Sequence, residues 1–147
     1  MTEIWERDAE TPDEYHSVEA IRGREFIIRL TTGADVFLAI QKFAIDNNIE
    51  FAKIHAAFMG GLQPAKYLVW APDTVDPDNW HKEAVPTTAN LSMILAFSGM
   101  IHTRPGKDGK QEPFPPIHFV AGGAWDCPPF GGHLEQGSIV KCVLECF

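Results

Sequence analysis

The chain has 147 residues, 45% hydrophobic and 22% charged. That is the mixture of one globular domain with its own core, and it excludes a two-domain enzyme. Twenty acidic residues against twelve basic ones give a formal charge of -8, the wrong sign for a protein that seeks a phosphate backbone.

In chain order, the first segment is acidic. Residues 1–20 carry Glu3, Glu6, Asp8, Glu10, Asp13, Glu14 and Glu19 against Arg7 alone, a net -6 of the total -8. With Pro12 and little apolar periodicity, residues 1–22 read as an extended arm that Trp5 and Tyr15 could anchor, and residues 23–147 as the domain. The arm lacks the basic start and apolar run of a secretion signal. Glu25 to Leu30 reads as a strand interrupted by Arg29. Turn and capping residues follow from Thr31 to Asp35. Val36, Ile40, Phe43 and Asn47 then recur at helical spacing, with Phe37 and Ala44 widening the apolar stripe, which predicts one amphipathic helix over Ala34–Asp46 closed by Asn47-Asn48.

Beyond the helix the pattern turns to β. Strands are expected over residues 51–58, 65–71, 91–102, 117–121 and 139–147. They are separated by Gly60-Gly61, a polar segment over 72–90, a turn-rich stretch over 104–110, and Gly122-Gly123. The predicted fold class is α+β, a mainly antiparallel sheet with one principal amphipathic helix packed against it. Strands apolar on both faces also suit burial between subunits. The apolar stretch Leu91–Ile101 is too short and too interrupted to span a bilayer, so no membrane partner is expected and a soluble, cytoplasmic protein is.

Three cysteines in a domain of this size do not read as a disulfide framework. Cys142 and Cys146 fall on even positions of an alternating strand, roughly 13 Å apart, too far to share one metal, and are expected in the core. Cys127 follows Asp126 on a loop and reads as inert. His118 and His133 are the leading chemical candidates. Neutral imidazole is a good ligand for a divalent metal such as zinc, and hairpin-related strands can bring the two face to face. Gly131 and Gly132 would let the backbone turn closely before His133. Glu135 shares its strand face and could orient its ring as an outer partner. Two histidines are fewer than the three or four ligands of a usual zinc site, so a hydrogen-bonded histidine pair near a subunit interface is the alternative. His55 and His102 read as satisfied polar residues that could otherwise supply a further ligand.

Several short motifs, in this order, resemble the plants-and-prokaryotes-conserved (PPC) domain: Glu25 to Leu30 with Gly33-Ala34-Asp35, Asn47-Asn48-Ile49, Met59-Gly60-Gly61-Leu62, Phe97-Ser98-Gly99-Met100-Ile101, Ile117-His118-Phe119 and Gly131-Gly132-His133-Leu134. The similarity spans about Arg24 to Phe147, and Gly-Gly-His-Leu is its most specific piece. The resemblance implies a compact homotrimer of α+β subunits. It also implies DNA association: plant members join the domain to AT-hook segments, and bacterial stand-alone members carry a DNA-binding label. Some prokaryotic members hold a metal with two histidines of an HxH strand and the histidine of Gly-Gly-His. Here Pro116 stands at the first of those positions, leaving the set one histidine short.

A DNA-binding surface would draw on Arg22, Arg24, Arg104, Lys107 and Lys110. Arg22-Gly23-Arg24 has the arginine-glycine-arginine core of an AT-hook, but Glu25 replaces the proline and the segment runs into a strand. Asp108 and Glu112 dilute the rest. No GxSxG elbow, P-loop or GxGxxG turn is present, so no enzyme class is read. Trp70, Trp80 and Trp125 beside prolines could line a small-ligand pocket. Two functions stand: a DNA-associated regulatory module, as the resemblance implies, and a trimeric metal- or small-ligand-binding protein, hydrolytic or lyase-type enzymes included, as the charge favours.

Overall fold

A computed structural model describes residues 19–58, 60–88, 90–122 and 128–147. Expectations resting on residues 1–18, Met59, Trp125, Asp126 and Cys127 lie outside the described residues. Among the described residues one helix, α1 (Val36–Asp46), accompanies twelve strands: β1 (Ile28–Leu30), β2 (Ala52–Ile54), β3 (Ala57–Phe58), β4 (Gly61–Leu62), β5 (Ala65–Pro72), β6 (Trp80–Thr88), β7 (Ser92–Pro105), β8 (Gln111–Phe114), β9 (Ile117–Gly122), β10 (Phe130–Leu134), β11 (Val140–Lys141) and β12 (Leu144–Cys146). This is the α+β arrangement that the alternating apolar pattern predicts.

Two sheets form. A small one runs β1-β12-β3, and a large one runs β11-β4-β7-β9-β10-β5-β6, with β2 and β8 also pairing β7. The described pairings are antiparallel. Ile117, Phe119 and Ala121 are buried while His118 and Val120 point outward, so one face of the large sheet packs inward and the other is open. The core gathers Val36, Ile40 and Ala44 of α1 with Leu62, Phe97, Ile117, Leu134 and Leu144 from both sheets.

The helix follows its sequence signals. Asp35 is the N-cap, its carboxylate accepting from the Leu38 backbone N–H at 3.1 Å, which satisfies a donor with no partner inside the helix. At the other end Asn47 caps the last turn and Asn48 takes the left-handed conformation with φ 53°.

Several expected boundaries move. The first strand begins at Ile28 rather than Glu25. Residues 51–58 split into β2 and β3, which join different sheets, and His55 at the crossing donates its backbone N–H to Phe147 O. The polar segment over 72–90 contains β6, paired along β5 from Ala65↔Thr88 to Pro72↔Trp80. β7 runs on to Pro105 and forms a hairpin with β8. The last expected strand breaks between β11 and β12, where Cys142 has φ 68°. That break ends the alternation, so Cys142 is exposed while Cys146 is buried, correcting the expectation that both are core residues. Among the described residues no helix is long and apolar enough to cross a membrane.

Candidate functional site

The outward face of β9 and β10 holds the histidine pair. His118 and His133 lie directly opposite one another in the ladder, flanked by Ser98 on β7 and Leu68 on β5. Their ring centroids are 5.3 Å apart at 73°, as expected of a directly opposed pair. The glycines before His133 work differently from the expectation. They make no turn but sit inside β10, where an added Cβ would come under 3.0 Å from Phe119 O at Gly131 and from Leu68 O at Gly132. Glycine is needed there for close strand approach.

An open cavity of 760 Å³ spreads over this face, and Leu68, Trp70, Val120 and Phe130 line it together with both histidines. Large apolar side chains are also exposed on this sheet. Trp70, Met93 and Leu95 are exposed, Leu95 because it is the extra residue where the β7–β9 register shifts between Ile94 and Ala96. Burial, and after it the fields of His118 and Lys82, hold the His133 imidazole below its ordinary pKa of 6.5. The ring is therefore neutral near pH 7, with a lone pair free to bind a metal or take a proton. Glu135 Oε1 lies 3.8 Å from His133 Nε2, on the same strand face as expected but beyond direct hydrogen-bonding distance.

Measured against a metal centre, this set is incomplete. No group of three or more His, Cys, Asp or Glu side chains able to hold a metal occurs among the described residues, and Pro116 offers no nitrogen where a third imidazole would stand. Neither His102 nor His55 makes up the difference: His102 sits against Phe114 with Nδ1 3.0 Å from Thr103 O, and His55 is exposed on the connection between β2 and β3.

The five basic residues lie in two places. Arg22 pairs with Glu25 at 2.9 Å, and Arg24 donates to Asn47 O at the C-terminal end of α1 while covering Phe26. Arg104, Lys107 and Lys110 belong to the β7–β8 hairpin, whose Phe114 packs on Phe37 in the first turn of the same helix. The structure thus puts the two groups at opposite ends of α1. Arg104 faces Glu112 at 3.5 Å and Lys110 faces Asp108 at 3.8 Å. Lys82 escaped the sequence reading because it stands in the polar segment now seen as β6. Val85 and the threonine pair Thr87-Thr88 were its strand signal, opposed by Pro86.

Fold and site together define a class: an antiparallel-sheet domain with one helix that offers two histidines on an open apolar face. The chain belongs to the Plants and Prokaryotes Conserved (PCC) domain family, whose model matches residues 18–147. Among solved structures it is similar to a plant- and prokaryote-conserved protein of Pyrococcus horikoshii, at 23% identity and TM-score 0.67 over 85% of this chain and 76% of that one. It is also similar to a metal-containing protein of Archaeoglobus fulgidus, at 25% identity and TM-score 0.63, covering 90% of this chain and 82% of that one. A candidate DNA-binding protein of Bacteroides thetaiotaomicron shares the fold at 16% identity and TM-score 0.58, over 82% and 73% of the two chains. No curated protein matches the chain.

Proposed function

We propose that the protein is a homotrimer that binds a small ligand in the cavity over the histidine pair. The observation that carries this reading is the cavity itself: two imidazoles, one of them held neutral, at the centre of an apolar face. Aromatic walls with few polar groups suit a small molecule. Trp70, Met93, Leu95 and Val120 are exposed together on one sheet face, the kind of apolar grouping that marks an interface, and a second and third copy would cover it. Light scattering should return three times the 16.4 kDa chain mass. A monomer at micromolar concentration would refute the assembly, and a Leu95→Asp variant that stays trimeric would move the interface elsewhere.

A divalent metal such as zinc is the chemistry that His118 and His133 would share, supported by the metal-containing neighbour. The two imidazoles would bind it and Glu135 would steady the ring of His133, but the third donor is missing at Pro116. Titrating zinc into the parent and into Pro116→His tests this: the added imidazole falls on the strand face of His118 and should raise affinity, and His133→Ala should abolish binding. Equal, negligible binding in both proteins refutes it.

DNA association is the second reading, favoured by the similar protein named for it. The scattered, partly paired cations and the charge of -8 limit it to non-specific strength, a Kd of roughly 10⁻⁴ to 10⁻⁶ M. Removing residues 1–20 should tighten it. Nanomolar binding of a defined duplex in physiological salt would overturn that ranking.

A further inference from the structure

Beside the histidine pair lies a second, smaller cavity of 280 Å³, lined by Phe37 of α1, Lys82 of β6, Arg104 and Phe114 of the β7–β8 hairpin, and His133 and Glu135 at the end of β10. We propose that this cavity binds a small monocarboxylate with an apolar body, the carboxylate held by Arg104 and Lys82. The proposal goes beyond the reading above and involves neither metal nor trimer.

Arg104 is set up for such a ligand. Its guanidinium carbon stands 3.7 Å from the centre of the Phe114 ring, and Phe114 is itself fixed edge-on against Phe37 with centroids 5.5 Å apart. Stacking of that kind fixes the plane of the guanidinium fork before a ligand arrives. Only Nε is engaged, by Glu112 at 3.5 Å, and the two terminal nitrogens have no acceptor among the described residues. Two parallel N–H groups in a fixed plane match the two oxygens of one carboxylate. Lys82 adds a second cation. Its ammonium lies 5.8 Å over the Trp70 ring and makes no ion pair among the described residues, and its field is felt at His133.

The rest of the lining decides the body of the ligand. The 9% of Phe37 left exposed and the part of Phe114 not covered by Arg104 offer a small apolar contact in a lining that is otherwise mainly polar, so an organic acid gains some burial that an inorganic anion does not. Glu135, also in the lining, opposes a second carboxylate and so favours a ligand with a single negative charge. The volume is near the lower end of ligand pockets, about 300 Å³, which suits a molecule of benzoate size.

Benzoate is the probe, with benzamide as the uncharged isostere and inorganic phosphate as the anion without a body. Calorimetry on the intact chain should give saturable benzoate binding, with amide resonances of Phe37, Arg104 and Phe114 shifting in heteronuclear NMR. Arg104→Met keeps the stem over Phe114 and should weaken binding at least tenfold, the size of a lost charged hydrogen bond. Arg104→Lys keeps the charge without the fork and should fall between. His118→Ala, at a residue that lines only the larger cavity, should leave benzoate binding within twofold, so a failed histidine-pair reading would not imitate a failed carboxylate site. The proposal is overturned if Arg104→Met binds within twofold of the parent while its melting temperature is unchanged. Benzamide or phosphate binding as well as benzoate would overturn it too.

Discussion

Gly131→Ala is the substitution whose effect the structure fixes most closely. The new methyl carbon would sit 3.0 Å from the Phe119 carbonyl carbon and the Val120 Cα, and closer still to the Phe119 oxygen. Those are backbone atoms of the partner strand, so no rotamer change relieves the clash. Carbon contacts are comfortable at about 3.5–4.0 Å, so β9 and β10 would have to part by roughly 1 Å. Overpacking of this kind costs about 1–3 kcal/mol, and a strained or lost ladder hydrogen bond adds about 1 more. At about 2–4 °C per kcal/mol for a domain near this size, the melting temperature should drop by roughly 10 °C. The assay is thermal unfolding followed by circular dichroism, with protomer concentration held fixed because an oligomer's midpoint depends on it. Gly23→Ala, which meets nothing within 4 Å, is the control and should stay within about 0.5 kcal/mol of the parent. A Gly131→Ala protein that melts within about 2 °C of the parent would refute the close-approach argument.

Four further outcomes follow from the same structure. Burial pushes the Cys146 thiol up to about 12, so iodoacetamide at mildly alkaline pH should label exposed Cys142 and spare Cys146, as peptide mass spectrometry would read. Since the unfolded thiol ionises from 9.0 while the folded one stays protonated, stability should also decline as pH rises from 9.0 toward about 12. His133 has the opposite sense. A ring harder to protonate folded than unfolded contributes stability that is complete above pH 6.5 and lost as pH falls below it, so urea midpoints should drop less on acidification in His133→Gln than in the parent, and equal drops would count against this. Asp35→Ala removes the cap on α1 and the 2.7 Å bond from Gly137 N–H; a loss of about 1–2 kcal/mol in denaturant unfolding is expected, and Asn should recover only part of it, because its single amide oxygen can accept from one of the two N–H groups.

The helix was legible because its signals are local: a capping aspartate, a 3.6-residue apolar stripe and a terminal asparagine pair. The histidine pair was legible because hairpin strands impose the opposition of His118 and His133 once both are strands. β6 was not, since the sequence from Trp80 to Thr88 shows no clean apolar alternation and carries Pro86, and only its pairing with β5 makes it a strand. The split at His55 and the break at Cys142 escaped for a related reason. The apolar alternation written in the sequence runs on through both, and it is the passage between two sheets, a long-range matter, that ends each strand in the folded chain. Lys82 and the Phe37–Phe114 wall meet only in the folded chain, so no spacing along the sequence marks the smaller cavity.

The small sheet places β12 between β1 and β3, with Ile28 opposite Cys146 and Ala57 beside the same residue. Asp35, at the head of the helix, likewise accepts from Gly137, and the Gly33 N–H donates to Val140 O. Each of these bonds joins a segment made early in translation to one made more than eighty residues later. On a ribosome the early helix and β1 would stand with open edges until residue 146 clears the exit tunnel, and contacts of such high sequence separation form slowly. The domain should therefore complete its fold only once β12 has emerged from the ribosome, and until then the open edges of β1 and β3 should be what a chaperone shields.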